Sequence, residues 1–164
     1  TDHYDPRNKV LSLSDATYGQ CSVAAVGVAA HECGHAIQHA RGYAPLQFRS
    51  ALVPVANFGS MIAWPLIVLG LFINSQSSAL LINIGILAFS LAVLFQLVTL
   101  PVEYNASGRA VRILAETGMM QGEEIVATKK VLNAAALTYV ASAAAAILQL
   151  VRILILTGGR RRDD

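Results

Sequence analysis

The chain has 164 residues, a formal net charge of +2, 55% hydrophobic residues and only 13% charged ones. A soluble domain usually carries about 25% charge, and here the deficit is local: from Ser50 to Val102 there is no Asp, Glu, Lys or Arg. A nucleic-acid binder needs a basic face on a folded surface. The Arg160-Arg161-Arg162 cluster instead follows an apolar run and reads as a membrane-interface anchor.

Residues 1–7 are polar, contain Pro6 and read as a loop. Lys9 to Ser14 partly alternates, with Leu11 and Leu13 on one face, and predicts one short strand. Residues 15–21 are turn-like. Ser22 suits an N-cap. Val23 to Ala40 then predicts a helix, apolar on every side up to Ala30 and therefore buried by protein or lipid. Gly42 marks its end, and Tyr43 to Ser50 reads as a connector.

Ala51 to Ile73 and Ala79 to Leu100 are uncharged, and each is long enough for the roughly 20 residues that cross a bilayer. Pro54 and Pro65 are tolerable in such a helix if neighbours satisfy the freed backbone. The polar turn Asn74–Ser78 joins the two into a hairpin, which puts its outer ends, Ser50 and Pro101, on one membrane side. Pro101 suits the first turn of a new helix; Val102 to Thr117 is amphipathic and Gly118 can close it. A last helix opens at Gln121 or Gly122 and ends near Thr157. Its apolar part, residues 131–157, spans the membrane or packs against the hairpin. The expectation is a mainly α membrane protein, a single domain over residues 1–164. Cys21 and Cys33 are too few for a disulfide framework, and both are expected reduced and buried.

The decisive segment is His31-Glu32-Cys33-Gly34-His35. On a helix, positions 31 and 35 lie about 40° apart and one turn from each other. Two imidazoles on that face can reach one zinc ion at about 2.0–2.1 Å. Glu32 lies about 100° round the helix, where it can take the proton of a zinc-activated water as that water attacks a peptide carbonyl. Charged groups on an apolar helix are costly unless they coordinate or pair. Three-ligand zinc sites want one more donor. His39 is about 12 Å along the axis from His31, too far to converge on the same ion, and His3 sits in a loop far upstream. Glu103 follows the second span at once and returns to the membrane side of the His helix, so it is the expected third ligand.

His31 to Gln38, then Leu100-Pro101-Val102-Glu103-Tyr104-Asn105-Ala106-Ser107, the opening Asp2 to Arg7 and the Arg-rich end together resemble the YugP-like family of bacterial neutral zinc metallopeptidases. The resemblance covers nearly the whole chain. It implies a membrane-bound, gluzincin-type peptidase with Glu103 as a zinc ligand, and an N-terminal membrane helix and basic linker ahead of Thr1. That family has Asp where this chain has Asn105, a position too far round the helix from Glu103 to be a ligand. Gluzincins place an Asp four residues after the ligand Glu to orient a zinc-bound His; here Ser107 stands in that place. Arg109 and Arg112 fall near the site-facing side, where they could serve an oxyanion or meet solvent and lipid headgroups.

The function expected is a zinc-dependent endopeptidase, with one Zn2+ per chain held by His31, His35 and Glu103 and with Glu32 as general base. Its substrates are expected to be peptides or membrane-proximal proteins, and its other partner the lipid bilayer. The strand at Lys9–Ser14 is an edge that could pair with an extended substrate. The competing reading is a non-catalytic membrane scaffold with a structural zinc site, which has no use for a free base beside the ligands. A transporter lacks support, because the two spans hold no ionisable residue. The expected location is the bacterial inner membrane, multi-pass. Arg41, Arg49, Arg109 and Arg112 flank the catalytic side and place it in the cytoplasm by the positive-inside rule. The C-terminal arginines oppose that placement if the last helix crosses. Oligomeric state is not legible.

Overall fold

The computed structural model describes residues 1–158, so the arginine cluster read as an anchor lies outside the described residues. The order of elements is β1 (His3–Asp5), β2 (Val10–Ser12), α1 (Val23–Ala40), α2 (Ala44–Phe72), α3 (Ser78–Glu116) and α4 (Glu123–Gly158). The mainly helical class expected from the sequence holds. The chain divides into two compact units, Thr1–Gln47 with Thr99–Tyr139 and Phe48–Val98 with Val140–Asp164.

In the first unit, the expected strand has a partner that the sequence hid. β1 and β2 pair antiparallel in the register His3 to Ser12, Tyr4 to Leu11 and Asp5 to Val10. Pro6 did not forbid this, because it falls in the connecting loop rather than in the ladder. The Asp5 carboxylate closes that loop by accepting hydrogen bonds from the Arg7 and Asn8 amides and from Asn8 Nδ2, a turn chemistry suited to Asp. Lys9 completes it at φ 54°. Asp2 accepts from the Ser14 amide and from the Ser14 and Thr17 hydroxyls. These bonds, the Ser14 amide first, hold its carboxyl below the usual value.

Helix α1 spans the expected residues and packs against both strands. Ser22 Oγ accepts from the Ala25 amide at 3.2 Å, which satisfies one orphan donor of the first turn. At the other end Gly42 takes φ 63° and its amide reaches His39 O at 3.1 Å. Tyr4 OH lies 2.9 Å from His39 Nδ1, which ties β1 to the last turn of α1. Both cysteines are free, as expected, but exposed rather than buried. Cys21 sits in the loop ahead of the cap. Cys33 is about 160° round the wheel from both His31 and His35, so turning the imidazoles inward turns the thiol outward.

Two boundaries differ from the sequence reading. Helix α2 begins at Ala44, so the connector is already helical and runs into the apolar segment without a break. Helix α3 passes straight through Pro101 rather than restarting there. Proline removes one amide, whose partner would be the Leu97 carbonyl; the rest of the ladder continues.

In the second unit, glycines seat α2 and α3 against each other. A Cβ on Gly85 would lie 2.7 Å from Ile67 Cγ1 and 3.0 Å from Ala63 O, and one on Gly59 2.7 Å from Ala88 O. Small residues let apolar helices approach closely where water offers no driving force. Among the described residues, three helices, α2, α3 and α4, are long and apolar enough to cross a membrane, and only 17–22% of each apolar window is buried within the protein. Phe58, Met61, Phe72 and Leu87 all point outward.

Gly85→Leu forces overpacking at the Ile67 contact. We expect it to lower stability by about 1–3 kcal/mol, read as a fall in the thermal midpoint of the detergent-solubilised protein.

Candidate metal centre

A collision that does not happen builds the centre. A side chain at Gly34 would strike the Ala106 carbonyl oxygen, with the Ala106 carbonyl carbon at 3.0 Å and Cα at 3.1 Å. Glycine there lets the backbones of α1 and α3 touch. His31 and His35, on either side of that contact, then meet Glu103 from α3.

His31 Nε2 and His35 Nε2 lie 3.0 and 3.5 Å from the same Glu103 oxygen, Oε2. The two rings stand edge to face, with centroids 4.7 Å apart. One ligand atom from each residue falls within 4.8 Å of the others. Four ligands about zinc at about 2.05 Å would be roughly 3.3 Å apart. The observed separations bracket that value, and two imidazoles with a carboxylate form a donor set that zinc accepts. The residues present therefore fit the ion. Glu103 is 4% exposed and His35 9%. Burial pulls the His35 pKa down, but the Glu103 carboxylate and then the Gln38 amide more than offset it, leaving the group above the ordinary histidine value.

The far nitrogens are held as well. His31 Nδ1 lies 2.9 Å from Ser107 Oγ, and His35 Nδ1 lies 2.9 Å from Gln38 Oε1. Ser107, read as a weak orienting partner, thus does meet the first histidine. For His35 the hydrogen-bond direction can be worked out. Gln38 is fully buried, and its Nε2 donates to the Val102 carbonyl at 2.8 Å and to Asn105 Oδ1 at 3.0 Å. A backbone carbonyl only accepts, so the amide faces it and the Gln38 oxygen faces His35. That oxygen in turn requires the proton on Nδ1, so in the neutral ring the Nε2 lone pair is the one available to a metal ion. Asn105 is held by a second donor, Arg109 Nε at 2.8 Å. The Arg109 guanidinium carbon sits 5.6 Å over the Tyr43 ring.

A cavity of about 320 Å³ opens beside the cluster. His31, Glu32, Glu103 and Ser107, with Thr1 and Asp2, form its polar side, while Val28, Leu132, Ala135, Ala136 and Tyr139 form an apolar wall. Glu32 lines it without a hydrogen bond from any described residue. Neither Arg109 nor Arg112 lines this cavity. His39 is bonded to Tyr4 and His3 to the Thr1 carbonyl, and neither belongs to the cluster. The sequence reading assigned no role to Gln38. Its signal was an amide three residues after His35 on a helix with no solvent to spend it on.

The class follows from comparison with known proteins. The family profile described as "Putative neutral zinc metallopeptidase" matches residues 1–158, and the chain belongs to that family. It is thereby a zinc metallopeptidase, a hydrolase of peptide bonds. It is 46% identical over 161 residues to the "Putative membrane protease YugP" of Bacillus subtilis (strain 168), an alignment that covers 98% of this chain and 70% of that protein. No solved structure matches the chain.

Gln38→Met keeps the volume but removes both the acceptor for His35 and the donor to Val102. We expect it to weaken zinc affinity by about 10–100-fold in a chelator competition. Asn105→Asp, which retains the accepting oxygen for both Gln38 and Arg109, is expected to leave that affinity within about threefold.

Proposed function

We propose that this chain is a membrane-embedded zinc endopeptidase in which His31, His35 and Glu103 hold one zinc ion and Glu32 is the general base. The supporting observation is the convergence of three ligand atoms within 4.8 Å, with Glu32 on the wall of the same cavity. Bound zinc supplies Lewis acidity, which polarises a peptide carbonyl and makes water acidic near neutral pH. The residues of the chain do the rest. Ser107 and Gln38 aim the two imidazoles. The Glu32 carboxylate takes the proton of the attacking water and returns it to the leaving amine. The apolar wall from Val28 to Tyr139 shields the reacting carbonyl from bulk water and favours an apolar substrate side chain beside the bond to be cut.

The scaffold alternative gives Glu32 no task, since it stands outside the His31–His35–Glu103 cluster and has no hydrogen-bond partner among the described residues. Membrane embedding is supported by the three long apolar helices and by the printed name of the Bacillus subtilis relative. Substrates would accordingly be membrane proteins or their exposed tails. Arg41, Arg49, Arg109 and Arg112 lie in the chain close to the segments that carry His31, His35 and Glu103, while the loop between α2 and α3 is uncharged. The positive-inside rule then puts the site on the cytoplasmic side of a bacterial inner membrane.

Glu32→Gln is expected to keep zinc and lose about 10²–10⁴ of kcat on a cleaved peptide. Undiminished hydrolysis by a metal-loaded Glu32→Gln protein would remove Glu32 from the mechanism. Orientation has its own test, because Cys21 and Cys33 are free and exposed. A membrane-impermeant maleimide should label them in inverted vesicles and spare them in intact cells; labelling in intact cells would put the site outside.

A further inference from the structure

A second cavity, of about 400 Å³, lies along the facing stretches of α3 and α4. Its α3 side is Tyr104, Ser107, Gly108, Val111 and Arg112, spaced as one helical stripe. Its α4 side is Lys129, Leu132 and Asn133, again one stripe. Ser107 and Leu132 also line the cavity at the metal cluster. The two spaces therefore adjoin. From the cluster outward, the lining climbs α3 from Glu103 to Arg112 while it descends α4 from Tyr139 to Lys129. That order makes the two stripes antiparallel walls of one trough, polar and metal-binding at one end and cationic at the other.

Neither Arg112 nor Lys129 has a carboxylate partner among the described residues. Two cations that flank a trough without a counter-charge can take an anion from outside. We propose that this end of the trough is a substrate subsite for a carboxylate, supplied by an Asp or Glu side chain of the peptide. The proposal rests on the peptidase reading above and deepens it with a distance. Glu103 and Arg112 are nine positions apart on one helix, about 14 Å along its axis. An extended peptide advances about 3.3–3.6 Å per residue. The recognised carboxylate thus belongs about four residues from the bond to be cut. Glycine at position 108 keeps the wall of the trough low, since a Cβ there would meet nothing within 4 Å.

The test uses the full zinc-loaded protein in non-ionic detergent and a quenched peptide whose cut bond is located by mass spectrometry. Glu is compared with Gln at three, four and five residues on either side of that bond. We expect kcat/KM to favour Glu by about fivefold, the yield of one partly exposed ion pair, at a single position on one side. The ratio should fall to about one in Arg112→Gln/Lys129→Gln and shift toward a Lys peptide in Arg112→Glu/Lys129→Glu. A wild-type ratio of one at every position overturns the proposal. So does a double Gln variant that binds anionic vesicles less well yet keeps the peptide preference, since the cations would then serve lipid headgroups. Anisotropy of the same peptides on Glu32→Gln protein separates the two readings. Preferential binding of the Glu peptide there, beside a zinc-loaded wild type that cuts no peptide, would sink the peptidase mechanism and leave the subsite standing; equal binding of the Glu and Gln peptides would overturn the subsite.

Discussion

A single carboxylate oxygen, Glu103 Oε2, stands between the Nε2 atoms of His31 and His35 at 3.0 and 3.5 Å. Bringing three ionisable groups together with little water is costly unless each finds a charge partner and its remaining polar atoms are bonded. The surroundings meet that demand. Ser107 and Gln38 take the far nitrogens, and Val102, Asn105 and Arg109 lock Gln38 and its neighbour. The whole arrangement needs α1 and α3 in backbone contact at Gly34 and Ala106. Opening that contact would separate the donors and leave buried charge without compensation.

Chemistry and apolar bulk are segregated along the chain. Among the described residues, the second unit carries charge only at Arg49 and Arg152, so nearly every charged side chain belongs to the first unit. The low charge fraction of the whole is therefore the signature of one half. Large side chains such as Phe58, Phe72 and Leu87 face outward there, while Ala63, Ile67 and Ala88 fill the seam between α2 and α3. That inversion suits a hydrocarbon solvent, where close packing of small residues rather than water exclusion holds helices together.

Helix α1 was legible almost to the residue, because its cap, its motif and its terminal glycine are all local signals. The convergence of His31, His35 and Glu103 was legible because the two histidines share a face by period alone and because a hairpin must bring Glu103 back. What stayed hidden depends on partners distant in sequence. The strand His3–Asp5 has only three residues and exists by pairing with Val10–Ser12. Pro101 looked like a helix start because local propensity cannot weigh one missing amide against a long continuous ladder. The exposure of Cys33 followed from which face of α1 met α3, which composition does not give. Gln38 needed the Val102 carbonyl opposite it before its amide could be oriented.

The gap between α1 and α3 is fixed by main-chain atoms, and main chain does not change rotamer. A side-chain wedge could shift to let a cage breathe; a glycine seated on a peptide carbonyl cannot. Donor type and number then become a filter. Calcium sits about 2.3–2.6 Å from its ligands and gathers six to eight oxygens, so neighbouring donors in its shell are about 3–3.5 Å apart and spacing alone does not turn it away. What disfavours it is the donor set: two of the three converging groups are imidazoles, and a main-chain seam that cannot spread leaves little room for further oxygens, an arrangement suited to small, nitrogen-seeking ions.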